Sequence, residues 1–419
     1  MTSKFDCNSV RARGRVTRRT FAAGIGAAGV LAGSSPFAIG RAQGAALKVG
    51  VLLPRSGVQA GIGQDCQRGV EIASGILKDL GLPQLAIMNG DTESNVETSR
   101  ARAERLIGEG AQLLVGAFDS GHTTAIAQVA EQKGIPLVIN IAAAPPITEQ
   151  GYKFVFRNFP TAPMIVADAY TNQKEVFELG GSAPKSVVFM HVNDTFGTAM
   201  KNGFAAAMPK FNMPYTVAET IAYDPAARDL SVEVAKAKAT GADALLVVSR
   251  LNDAMLLTRE LVKQRWSPMA VLSVGPGWYE DQYIKTMGKL SDGPISFVPW
   301  YDPNKKLSKQ LEAALAKAHP GINLNTNHIY TFEALLIAAD AYKRAGSTDP
   351  KALADAIRTT DIKDNVSIGP GIKFDAKGQN ATLKCAGIQN RDGKLVTVAP
   401  KTAANAKVEW PLKPYDKRG

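Results

Sequence analysis

"LLVGAFDSGHTTAIAQVAEQKGIPLVINIAAAP", residues 113–145, sets one helical stretch between two apolar runs. "LLVGA" (113–117) and "PLVINI" (136–141) are short, continuous and rich in branched residues, so each reads as a strand buried on both faces. Between them, 121–133 has helical spacing and stops at Gly134. Strand, helix and strand in about thirty residues make one βαβ unit of a parallel sheet.

The same alternation extends in both directions. Upstream lie strand 47–53, helix 63–80, strand 85–91 and helix 96–110. Downstream, after "YKFVFRNFP" (152–160), it restarts with a helix over 162–179, a strand at 186–192 and a helix over 196–209. Strands at 215–223, 243–249 and 269–274 follow, separated by helices. The chain therefore reads as α/β, with two doubly wound parallel-sheet lobes in tandem. Past "ISFVPWYDP" (295–303) come helices at 304–318, 328–345 and 350–359, with no new parallel strands. Such helices complete an existing lobe, so the chain crosses between lobes more than once, near 157–163, 298–303 and 364–370. A hairpin-like tail over 371–398 has turn signals at Lys377–Gly378 and Asp392–Gly393.

The formal charge of +11 suggests a polyanion partner until its distribution is read. The first 44 residues carry seven basic residues and one acid, which leaves 42 basic and 37 acidic residues, a net of +5, on the rest. No basic stripe with interleaved aromatics remains, which argues against nucleic acid. The leader itself runs "TRRTF" (17–21), then "AAGIGAAGVLAG" (22–33), then small residues at Ala42, Gly44 and Ala45. That is an export signal over 1–45 whose apolar run is too short for a membrane span, and its Arg18–Arg19 pair resembles a twin-arginine signal. Gly24, Gly26 and Gly29 fit a dinucleotide fingerprint but lack the preceding strand and the following acid, so no cofactor is expected. Cys66 and Cys385 remain beyond the leader and are expected to be separate buried thiols. Four scattered histidines and no Cys-x-x-Cys give no metal site.

Asp119, Ser120 and His122 have the side chains of a hydrolytic triad. Neighbours on one loop rarely align imidazole between hydroxyl and carboxylate, and the G-x-S-x-G elbow is absent, so an enzyme is not expected. The stretch 118–121 is instead a strand-to-helix loop, where unpaired helix amides favour an anion. Ser120 suits a helix cap, a carboxylate donor, or both. Other strand ends add "INIAAAPPIT" (139–148), "VNDTFGTAM" (192–200), "VSRLND" (248–253) and "SVGPGWYED" (273–281). They bring Phe196, Arg250, Asn252, Trp278 and Tyr279 to the edge where open α/β sheets bind ligands.

These segments, with "LKVGVLLPRSGVQAGIGQDCQRGVEIA" (47–73), resemble the periplasmic substrate-binding proteins of branched-chain amino acid type ABC importers. The resemblance runs from about Leu47 to Val398. It implies a type I periplasmic binding fold whose lobes, joined by a three-segment hinge, close on a ligand. Residues 46–159 plus 300–366 would form the first lobe and 160–299 plus 367–419 the second. It also implies that Ser120 holds the ligand carboxylate, with Gly121 and His122 supplying amides and Ala142 and Ala143 forming a second carboxylate loop. Phe196 stands where a tyrosine covers the ligand, and Arg250 to Asn252 replace an aromatic-bearing segment. Where amino-acid binders read "GPEG", this chain reads "GPGW" (275–278), so Pro276 or Gly277 takes the place of the acid that pairs with the ligand ammonium.

Without that acid, burying an ammonium is costly unless Asp119, Glu280 or Asp281 compensates, and the sequence leaves their aim open. Arg250 and Trp278 point to an acidic ligand with a flat apolar body, and Gly277 and Tyr279 are expected beside them at the ligand. The expectation is an exported, periplasmic, monomeric binding protein that passes a small carboxylate, aromatic or otherwise non-amino, to the membrane permease of an ABC importer. An aliphatic amino acid is the alternative ligand, and a sensor for a signalling partner the alternative class.

Overall fold

The structure, a computed structural model, describes residues 46–418. The export signal, with its arginine pair and glycine motif, lies outside the described residues.

The first sheet is all parallel, in the order β2-β1-β3-β4-β5. Its strands are β1 (Leu47–Leu53), β2 (Leu85–Asp91), β3 (Leu113–Gly116), β4 (Leu137–Ile139) and β5 (Val155–Arg157). Helices α1 (Ala60–Asp79), α2 (Val96–Gly108) and α3 (Ser120–Lys133) connect the first four. β3 and β4 are buried at every position, as covering both faces requires.

The second sheet has the order β14-β13-β10-β9-β8-β6-β7. Strands β6 (Ser186–Val192), β7 (Thr216–Tyr223), β8 (Ala244–Val248), β9 (Ala270–Ser273) and β10 (Ile295–Pro299) are parallel. Helices α4 (Ala162–Gly180), α5 (Thr195–Phe211), α6 (Ser231–Ala239), α7 (Leu251–Lys263) and α8 (Asp281–Met287) belong to this half. The tail then adds the antiparallel pair β13 (Cys385–Arg391) and β14 (Lys394–Ala399), closed by the Asp392–Gly393 turn.

After β10 the chain returns to the first sheet. Helices α9 (Lys306–Ala318) and α10 (Thr326–Ala345) pack on α1, and α10 also covers β3 and β4; α11 (Pro350–Arg358) packs on α10. Every residue of α10 from Thr326 to Ala339 is buried. Gly69 of α1 makes that packing possible, because a Cβ there would stand 2.6 Å from the carbonyl oxygen of His328. Two short strands, β11 (Asp361–Ile362) and β12 (Ile372–Lys373), form a ladder before the last crossing ends.

Three segments run between the sheets and bond to one another. Asp302 N donates to Val366 O (3.0 Å), Ile368 N to Trp300 O (2.9 Å) and Arg157 N to Gly378 O (2.7 Å). The Lys377–Gly378 turn forms, but it closes no hairpin; it docks on Arg157, whose Nε donates to Gln379 Oε1 at 2.6 Å. Glu333, buried on α10, gathers the crossings through Val366 N (2.8 Å), Ser367 N (2.7 Å) and Asn158 Nδ2 (2.7 Å). Cys66 and Cys385 are free, buried and in different sheets' halves, and burial pushes both thiols up.

Candidate functional site

The carboxyl ends of the two sheets face one shared cavity. From the first half, Phe118, Asp119 and Ser120 enter after β3, and Ile141, Ala142 and Ala143 after β4. The second half supplies Ile165, Phe196, Arg250, Gly275, Pro276 and Tyr279. The crossing after β5 gives Phe159, the end of β10 gives Val298 and Pro299, and the start of α10 gives Thr326 and Asn327. The lining is mostly apolar, with a few polar groups converging on it, as small-molecule sites have.

Asp119, not Ser120, caps α3: its backbone is extended, and its Oδ1 accepts from Gly121 N at 2.8 Å. That bond uses the Gly121 amide, which the resemblance assigned to a ligand. Ser120 is the first helical residue, and its Oγ accepts from Ala143 N and Ala144 N, each at 3.2 Å. The loops after β3 and β4 are thus tied to each other through one hydroxyl, which has a proton left to donate.

Arg250 is the electrostatic centre of the cavity. Its guanidinium pairs with Asp194 at 2.6 Å, and across the cleft with Asp119; it also lies 5.2 Å from the centroid of the Phe196 ring. Local sequence fixes its place, since Asp253 at the third position of α7 accepts from Arg250 N at 2.9 Å. Burial alone would raise the Asp119 carboxyl, but Arg250, His122 and the Gly121 amide outweigh it, and the group sits below the usual carboxylate range. Asp119 is the only carboxylate among the lining residues, and it is not free.

Several expected site residues do not line the cavity. His122 is buried behind the loop, and burial lowers its pKa. Asn252 is exposed and its Nδ2 donates to Val58 O (3.2 Å) in the first half. Trp278 packs into the second half, with Nε1 donating to Ser249 Oγ (2.9 Å) and its ring 5.3 Å from Tyr283. Gly277 is fixed by crowding, because a Cβ there would lie 2.3 Å from Arg250 O. No side chain fits that position, so it cannot supply the missing acid. Glu280 accepts from Asn327 Nδ2 (2.8 Å) and Asp281 from Asn323 Nδ2 (2.6 Å), both outside the lining. Ser120, Ala142, Ala143, Phe196, Arg250 and Tyr279 do share the cavity.

Sequence reasoning missed the wall at Thr326 and Asn327. A signal was present: Asn325 caps α10, its Oδ1 accepting from Asn327 N at 3.0 Å.

The sequence matches the family model described as "Periplasmic binding protein" over residues 46–394. The chain belongs to the periplasmic binding protein family. A relative in Brucella suis biovar 1 (strain 1330), "Leu/Ile/Val-binding protein homolog 8", is 28% identical over 405 residues, spanning 92% of this chain and 98% of the relative. The leucine binding protein LivK of Thermotoga maritima MSB8 superposes with a TM-score of 0.73 at 21% identity, covering 84% of this chain and 98% of that one. An ABC transporter solute binding protein from R. palustris in complex with benzoate also gives 0.73 at 21%, covering 88% and 99%. These likenesses establish a type I periplasmic binding protein fold. In the triad-like stretch of this periplasmic binding protein, Ser120 Oγ accepts from the loop amides of Ala143 and Ala144. Among the described residues no helix is long and apolar enough to cross a membrane.

Proposed function

We propose that the chain is the extracytoplasmic solute-binding component of an ABC importer. It is exported by the twin-arginine route, acts as a monomer, and closes its two lobes on a small carboxylate for delivery to a membrane permease. The ligand is an aromatic or other non-amino organic acid.

One observation carries the choice of ligand: Asp119, the only carboxylate lining the cavity, is paired with Arg250. An amino acid would bury its ammonium with no free anion beside it, whereas an organic acid brings only a carboxylate, for which the Ser120 hydroxyl and the unpaired Nε–H of Arg250 remain as donors. Phe118, Phe159, Phe196 and Val298 offer the flat body an apolar enclosure. The solved relative that holds benzoate agrees with this reading, and the Leu/Ile/Val name of the sequence relatives stands against it. A thermal-shift screen separates the two, because a ligand that binds only the folded state raises Tm. Stabilisation by benzoate-like acids supports the proposal; stabilisation by leucine alone overturns it.

A further inference from the structure

Two residues that line the cavity each carry a buried polar atom with no hydrogen-bond partner: Arg250 Nε and Asn327 Oδ1. They belong to different walls, one at the end of β8 and the other at the start of α10. Their chemistry is opposite. Nε–H can only donate, and Oδ1 can only accept.

We infer that Asn327 is a specificity residue reading a hydrogen-bond donor on the ligand, so that the preferred ligand is a hydroxylated aromatic acid. This rests on the aromatic-acid reading above. The carboxylate satisfies Arg250 Nε–H and the Ser120 hydroxyl, and the ligand hydroxyl donates to Asn327 Oδ1.

The side-chain amide of Asn327 is oriented by what lies behind it. Its Nδ2 donates to Glu280 Oε1 at 2.8 Å. Burial and the neighbouring Asp65, to which it hydrogen-bonds, raise the Glu280 carboxyl well above the usual range. Asp65 in turn is held by Arg68 and by Asn325 Nδ2 (2.9 Å). The neighbouring hydroxyl of Thr326 is committed to Pro299 O (2.6 Å), so Asn327 is the group left over on that wall. Leaving a buried acceptor unpaired is unfavourable, and a site built to bond a hydroxyl discriminates against the analogue lacking it.

The test is a calorimetric titration of the full mature protein with benzoate, 3- and 4-hydroxybenzoate, and their fluoro analogues, which match the hydroxyl in size but donate no proton. At least one hydroxybenzoate should bind at least about tenfold tighter than both benzoate and its fluoro partner. In Asn327→Leu that ratio should fall to about threefold or less while benzoate still binds. Equal binding of hydroxy and fluoro acids by the wild type overturns this inference and leaves the aromatic-acid reading intact. A ratio that survives in Asn327→Leu overturns the role of Asn327. Binding of none of these acids overturns both readings together. The wild-type ratio needs no variant, so it decides the matter even if Asn327→Leu fails to fold.

Discussion

Arg250 pairs with Asp119 across the cleft while holding Asp194 of its own half at 2.6 Å. The side chains of Arg250 and Asp119 are only 9% and 10% exposed, so salt screens this pair weakly. Opening the cleft would break the Asp119 contact and leave Arg250 its other partner. The pair thus favours the closed arrangement and at the same time removes the cavity's one carboxylate from use.

Asp119→Asn keeps a side chain able to cap α3 but removes the charge. We expect ligand affinity to fall by about thirtyfold, roughly 2 kcal/mol, chiefly through faster dissociation. Stopped-flow release of the bound acid measures this, and an unchanged dissociation rate would refute a closing role for the pair.

Ser120→Ala removes the acceptor shared by Ala143 N and Ala144 N as well as the donor facing the cavity. Ligand-free stability should drop by about 1–3 kcal/mol, and affinity for a carboxylate by about ten- to a hundredfold. Chemical denaturation and calorimetry read the two effects separately. Loss of stability with full affinity would make Ser120 a loop tie and nothing more.

Trp278→Phe should leave the ligand Kd within about twofold while costing about 1 kcal/mol of stability, because the indole bonds Ser249 rather than lining the cavity. A tenfold loss of affinity would place the indole at the ligand after all.

Glu280 supplies a pH test. Burial and Asp65 raise its carboxyl well above the ordinary glutamate range, so the folded protein holds a proton that the unfolded chain releases. Its contribution is therefore intact below about pH 4.5 and is lost as pH rises toward its folded value. Glu280→Gln is the neutral equivalent, with an amide to donate to Asp65 and an oxygen for Asn327. The Tm difference between variant and wild type should move in favour of the variant from pH 5 to pH 8. A difference that moves the other way would mean an ionised Glu280.

The fold was legible because strands buried on both faces carry unbroken apolar runs, as "LLVGA" does. The site was legible only where it depends on position along a strand. Asp119 and Ser120 both make good caps, and only backbone geometry shows that the helix begins after Asp119. Trp278 and Tyr279 are adjacent in one loop, and composition does not say which faces the cavity. Arg250 reads as a free cation because its partner Asp119 lies 131 residues away in sequence. Asn327 was missed for the same reason: α10 reaches the cleft only after the chain has crossed back to the first sheet.

The most direct test of the central claim is calorimetric titration of the mature protein, unfolded and refolded to strip any co-purified ligand, with benzoate and with leucine. The account predicts saturable binding of benzoate or its hydroxylated derivatives and none of leucine. Leucine binding in the absence of any aromatic-acid binding would contradict it.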